Sequence, residues 1–157
     1  MASVEIRSSP HGKGVFALKK FRKGERILNF RGKIYSNQDK PRGLNAPRNH
    51  FLQIGIDRFM GPSRGPDNFV NHSCSPNAGI KMNGDEVVLV AIFELQAGQE
   101  ITFDYSTTMV QDEWSMACAC QSRDCRKKIE EYPRLPRAIR RRYEALKVVP
   151  DFVLNSK

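Results

Sequence analysis

Three thiols fall within the eight residues of "CACQSRDC", at Cys118, Cys120 and Cys125. A loop of this length can wrap one metal ion, whereas a CxC pair is awkward to bridge internally as a disulfide. Tetrahedral Zn²⁺ takes four ligands, and the run supplies three of them. The fourth must come from elsewhere in the chain, either Cys74 or one of His11, His50 and His72. Cys74 is favoured, because it is the one thiol left over and would complete a four-thiolate site. Free reduced thiols and two disulfides remain open on the residues alone, although nothing indicates an oxidising compartment.

Cys74 sits inside "FVNHSCSPNAG" (69–79), which carries an amide, an imidazole, a hydroxyl, a thiol and a second amide in quick succession. Such a run is ordinarily a Ser/Asn/Pro loop. Two further stretches offer groups it could work with. "HGKGVFA" (11–17) has glycines whose backbone can approach a small ligand closely. Their spacing is not that of the phosphate-cradling motifs, and no helix pattern follows, so a dinucleotide-binding fold is not expected. "GQEITFDYS" (98–106) ends in Tyr105 between Asp104 and Ser106. Taken alone, a Tyr at a strand end is ordinarily packing.

The elements that must position these groups are mostly strands. Residues 4–6, 14–18, 24–35, 50–60 and 101–103 read as short apolar strands, with the polar, Pro-rich segment 36–49 as a surface insertion. "AGIKMNGDEVVLVAIF" predicts a hairpin turning at Asn83-Gly84 in type I′ geometry. Only the C-terminal stretch has helical spacing, with Leu135, Ile139, Tyr143 and Leu146 on one face. A chain of 157 residues, 39% hydrophobic, suits one domain with a modest core. It has no apolar run of membrane-spanning length and no signal-type N-terminus, so an intracellular, soluble protein is expected. The net charge of +9 suits an anionic partner, yet fixes no reaction.

In this order, "HGKGVFA", "FVNHSCSPN", "GQEITFDY" and "CACQSRDCRKKI" closely resemble the SET-domain protein-lysine N-methyltransferases that carry a zinc-binding post-SET segment, over about residues 4–128. The tail resembles, more weakly, the helical extension of small single-domain microbial members. The resemblance implies a mostly β fold of short curved sheets (a β-clip) with a pseudoknot, plus a C-terminal helix. It also implies a SET domain at 1–108, a post-SET zinc-binding segment at 109–130 and a helical extension at 131–157. S-adenosyl-L-methionine would bind His11, Gly12, Lys13 and Gly14 largely through backbone, with Asn71 and His72 contacting the same cofactor. Asn77 would tie the knot, and Tyr105 would be the active-site tyrosine. Cys74, Cys118, Cys120 and Cys125 would hold Zn²⁺.

The chain departs from the family's common pattern at three places. Phe30 stands where many members have Tyr, Phe51-Leu52 occupies the segment that usually brings another channel Tyr, and Asn68 replaces a common Arg. Phe30, Phe51 and Phe103 are the expected substrate-channel residues, and the lack of hydroxyls at Phe103 and Phe30 implies di- or trimethylation. The function implied is S-adenosylmethionine-dependent methyl transfer to a lysine of a protein, a histone or another nucleic-acid-associated basic protein, leaving S-adenosyl-L-homocysteine. The alternative is a non-catalytic SET-like binding module that engages nucleic acid or chromatin-like complexes through zinc and a basic tail. Residues 123–147 hold ten Lys/Arg against four acids, a surface for nucleic acid or an acidic partner if it is not simply solvated. The expected location is cytoplasmic or nucleoid/chromatin-associated, away from membranes.

Overall fold

A computed structural model describes residues 1–41, 51–110 and 114–156. Most of the 36–49 insertion, and His50, lie outside the described residues. The chain is mostly β. Among the described residues, twelve short strands run in the order β1 (Val4–Ser9), β2 (Gly12–Ala17), β3 (Arg26–Phe30), β4 (Ile34–Tyr35), β5 (Leu52–Gly55), β6 (Arg58–Met60), β7 (Asn71–His72), β8 (Ala78–Asn83), β9 (Glu86–Ala91), β10 (Glu100–Phe103), β11 (Ser115–Ala117) and β12 (Lys128–Glu130). Two helices follow, α1 (Arg137–Ala145) and the short α2 (Asp151–Leu154). The strands form four small sheets, in the orders β1-β2-β10-β7, β3-β9-β8, β4-β6-β5 and β11-β12. Of these pairings, the one between β10 and β7 is parallel.

The main core lies between the sheets and is built from Val15, Phe21, Ile80, Val87, Leu89, Leu95, Ile101 and their neighbours. β9 explains why "EVVLVAI" is a continuous apolar run rather than an alternating one. Val87, Leu89 and Ala91 face this core. Val88, Val90 and Ile92 face a second cluster made with Tyr132, Leu135, Tyr143, Val148, Val149 and Val153. A strand covered on both faces has no polar side to show. The C-terminal segment is therefore packed as one layer of the domain.

Two local expectations are corrected. The β8–β9 hairpin pairs Asn83 with Glu86, so its loop residues are Gly84 and Asp85, one position later than the Asn83-Gly84 dipeptide suggests. Gly84 has φ of 58° while Asp85 is not among the positive-φ residues. That is the pattern of a type II′ turn rather than I′, with glycine at the first loop position. Leu135 lies outside α1, at the end of a 3-10 turn over Tyr132–Arg134, with ψ of 143°. The ring of Pro136 disfavours helical backbone at the residue before it, so the helix starts only at Arg137. Leu135 still reaches the cluster that Tyr143, Ile139 and Leu146 occupy.

The closeness of that layer depends on Gly79 in β8. A Cβ there would stand 2.6 Å from Cβ and Cγ1 of Val148. Gly79→Ala is expected to cost about 1–3 kcal/mol of stability by overpacking. Val148→Ala should restore part of that loss in the double variant, as read from chemical denaturation midpoints. Additive losses would show that the two sites do not touch.

Candidate active site and thiol cluster

The parallel pairing of β10 with β7 sets Thr102 opposite Asn71 and Phe103 opposite His72. Such short strands leave backbone groups to be satisfied by side chains. Asn77 does this for β10, donating from Nδ2 to the Glu100 carbonyl at 2.7 Å and accepting from the Thr102 N–H at 3.0 Å. Just past the strand, the Tyr105 N–H donates to Nδ1 of His72 at 3.1 Å. The Tyr105 hydroxyl donates to the Val70 carbonyl at 2.8 Å. With its proton committed there, the phenol oxygen keeps its lone pairs as an acceptor. Burial first, and the Glu100 carboxylate second, push the Tyr105 pKa up, so the hydroxyl stays neutral.

Asn71 projects from β7 toward the β1–β2 turn. Its Nδ2 donates to the Lys13 carbonyl at 2.9 Å and to Oε1 of Glu100 at 2.7 Å. Gly14 is required beneath this pair, because a Cβ there would collide with the Glu100 carboxylate and lie 3.1 Å from Asn71 Nδ2. His11 forms the tip of the same turn. Burial first, with smaller contributions from Arg126 and the neighbouring His11, lowers the proton affinity of His72.

The four thiols stand beside this centre. Cys74 Sγ is 3.8 Å from Cys118 Sγ, which is 3.7 Å from Cys125 Sγ. Four sulfurs at about 2.3 Å from a tetrahedral Zn²⁺ would be about 3.8 Å apart. Backbone N–H groups already aim at the sulfurs: Cys74 N–H at Cys120 (3.5 Å), Arg126 N–H at Cys74 (3.4 Å) and Lys127 N–H at Cys125 (3.4 Å). Burial pushes the Cys74 thiol up to about 11. Burial would also raise Cys120, but hydrogen bonds from the Cys74 N–H and from Ser122 outweigh it and hold the thiol at about 6. A cation is what would make all four thiolates, so the donor set fits zinc. The loop bends through left-handed backbone at two non-glycine residues, Gln121 (φ 58°) and Lys127 (φ 63°). Each such residue costs on the order of 1 kcal/mol, strain that a bound ion would offset.

His72 is a rival for the fourth ligand position, since its ring and the Sγ atoms of Cys74, Cys118 and Cys120 lie within 4.8 Å of one another. Its tautomer decides between them. Nδ1 accepts from Tyr105, and burial holds the ring pKa down to about 4, so the ring is neutral with its proton on Nε2. Nε2 then donates to Cys74 Sγ at 3.3 Å and has no lone pair for a metal. Cys125 is the better fourth ligand on this argument.

A family model described as SET domain matches residues 12–106, well over half of the chain. The chain belongs to the SET-domain family. It is 26% identical over 135 residues to Histone-lysine N-methyltransferase 2D of Homo sapiens, covering 77% of this chain and 2% of that protein. It is 28% identical over 137 residues to Probable histone-lysine N-methyltransferase set-23 of Caenorhabditis briggsae, covering 76% of this chain and 57% of that protein. The SET-domain chain thus spans only part of the length of these relatives. A solved structure of KRYPTONITE in complex with mCHG DNA and SAH matches at a TM-score of 0.66 and 22% identity, covering 81% of this chain and 29% of that one. That likeness establishes the fold.

Within this SET domain, the predicted residues divide into two groups. Phe30 and Phe103 meet edge-on at 6.0 Å between centroids, and Phe103 lies 4.9 Å from Tyr105, an unbroken aromatic run beside the phenol. Phe51 lies just before β5, edge-on to Tyr35 of β4 at 5.6 Å. Both ring nitrogens of His72 are taken by protein partners, which leaves its backbone and ring edge for a ligand. Sequence reasoning missed Glu100, Asp104, Arg126 and Tyr143. Asp104 is 1% exposed and accepts Arg126 Nη1 and Nη2 at 2.7 and 2.8 Å, as well as the Tyr143 hydroxyl at 2.8 Å. An acid next to Tyr105 and an Arg next to Cys125 were visible signals, but their partnership was not. Among the described residues no helix is long and apolar enough to cross a membrane.

Purified protein should carry one zinc per chain, and Cys125→Ser should lose it. His72→Gln should keep one zinc, bound about 10–100-fold more weakly because the Cys74 sulfur loses a donor. Metal content with chelator competition reads both. Loss of zinc from His72→Gln with retention in Cys125→Ser would make His72 the fourth ligand.

Proposed function

We propose that this SET domain transfers a methyl group from S-adenosylmethionine to a lysine ε-amine of a protein, a histone or another basic nucleic-acid-associated protein. The observation that carries this reading is the Tyr105 hydroxyl. It is pinned to the Val70 carbonyl at 2.8 Å, neutral, and flanked by the apolar edge-to-face run of Phe103 and Phe30.

The chain's groups fit the cofactor. His11, Gly12, Lys13 and Gly14 offer turn backbone, with Gly12 at φ of 105° and open space above its Cα. Asn71 Oδ1 accepts no hydrogen bond among the described residues, so it remains for an ammonium group beside His72. When bound, S-adenosylmethionine supplies a sulfonium methyl that is already electrophilic. What the protein must supply is a neutral amine in line with that methyl. Free lysine has a pKa near ~10.4, and an apolar aromatic channel lowers it by desolvation. Tyr105, as an acceptor, orients the amine N–H and leaves its lone pair for the methyl carbon. Zn²⁺ on Cys74, Cys118, Cys120 and Cys125 would clamp the thiol loop against β7. Neither Phe103 nor Phe30 has a hydroxyl to restrain a methylated amine, which supports di- or trimethylation.

Labelled cofactor and cell-extract protein test the reading. Wild type should label protein, mass spectrometry should find two or three methyls on one lysine, and Tyr105→Phe should be slower by at least about tenfold. Asn71→Ala should weaken cofactor binding by about 1–3 kcal/mol in calorimetry. A zinc-loaded wild type that neither binds S-adenosylmethionine nor labels protein would instead be a binding module.

A nucleic-acid partner is supported by the outer face of α1. Arg137, Arg141 and Arg142 are exposed there, and Arg142 stands 5.7 Å from the ring centroid of Phe93, itself 42% exposed. Arg140 is turned partly inward, with a buried Nε. This face would keep the protein at chromatin or nucleoid. Binding to a duplex oligonucleotide should weaken steeply with salt. Changing Arg137, Arg141 and Arg142 to Gln should make the log–log slope shallower by about 2–3. An unchanged slope would remove α1 from the interface.

A further inference from the structure

Tyr143 belongs to α1, beyond the matched residues 12–106, yet it reaches the interior of the site. It is 2% exposed and donates its hydroxyl proton to Asp104 Oδ2 at 2.8 Å. The other donors to that carboxylate are Arg126, one nitrogen to each oxygen, and the Ser106 N–H, which reaches Oδ1 at 3.1 Å. Each oxygen therefore receives two donors. The Asp104 carbonyl is held as well, by the Thr107 N–H at 3.0 Å and hydroxyl at 2.7 Å. The next residue is Tyr105, fixed by His72 at its N–H and by Val70 at its hydroxyl. Burial first, then the Asp104 carboxylate, push the Tyr143 pKa up, so the hydroxyl remains a donor.

We propose that Tyr143 is a positioning residue for Tyr105: by completing the donors on Asp104 Oδ2, it holds the turn that aims the phenol at the reacting amine. Without it, Oδ2 keeps one donor and Oδ1 two. The carboxylate then rotates within the Arg126 fork and loosens the Ser106 cap, and with it the Tyr105 N–H bond to His72. The helix at the end of the chain is in this way part of the reaction centre. The role of Tyr105 rests on the methyltransferase reading above. The placement of its backbone does not.

The test compares Tyr143→Phe, which deletes only the hydroxyl, with Leu135→Ala, which opens the same apolar cluster without touching Asp104. Amide hydrogen exchange at Tyr105 and Ser106 should quicken in Tyr143→Phe and stay at wild-type rates in Leu135→Ala, even where Leu135→Ala lowers the melting temperature more. In methyl transfer, Tyr143→Phe should lower kcat about tenfold while KM for the protein substrate stays within about twofold. Unchanged exchange at Tyr105 in Tyr143→Phe overturns the proposal, as does an equal quickening in Leu135→Ala. A wild type with no methyl transfer defeats the functional reading and leaves the exchange result to decide the positioning.

Discussion

A carboxylate buried at 1% exposure governs how this chain closes. Taking Asp104 out of water would cost several kcal/mol if it were unpaired, so the fold must bring donors to it. They come from three places: the turn that follows it, the thiol loop through Arg126, and the C-terminal helix through Tyr143. One charge thereby forces distant pieces of chain into a single arrangement. Because Arg126 follows Cys125 directly, the same ion pair ties the thiol loop to the end of β10, and the cysteine cluster and Tyr105 share one anchor.

The His72 ring is the second tie between those two centres. Its Nδ1 receives the Tyr105 N–H and its Nε2 faces Cys74, so an imidazole links the phenol's backbone to a sulfur. The ring must stay neutral to do this, and burial ensures that it does. Asn77 does comparable work on the other side, closing the backbone of β10 where no strand is available. The polar groups of residues 69–79 take backbone partners: Asn71 the Lys13 carbonyl, His72 the Tyr105 N–H, Ser73 the Ser75 N–H, and Asn77 both the Glu100 carbonyl and the Thr102 N–H.

The C-terminal segment has two faces with different tasks. Its apolar side covers Val88, Val90 and Ile92 of β9 and supplies Tyr143 to the interior. Its outer side carries arginines that the core does not need. A helix of nine residues is marginal alone in water, so its stability comes from that packing.

Features that depend on neighbours along the chain were legible from residue order alone. The thiol spacing at 118–125, the short apolar strands, the glycine turn of the β8–β9 hairpin and the ordered family motifs are all local patterns. Local covalent geometry limits what such patterns can become. Even there the resolution is about one residue: the hairpin turns at Gly84-Asp85, and Pro136 keeps Leu135 out of the helix. Tertiary structure decided the pairings that cross the chain. Asp104 finds Arg126 across 22 residues and Tyr143 across 39, and Asn71 finds Glu100 across 29. No local rule distinguishes those acids and bases from the solvated ones beside them, because what selects them is burial, and burial exists only once the sheets and the helix have met. The partners of the His72 ring were likewise decided in space, where the Tyr105 N–H meets one ring nitrogen and Cys74 the other.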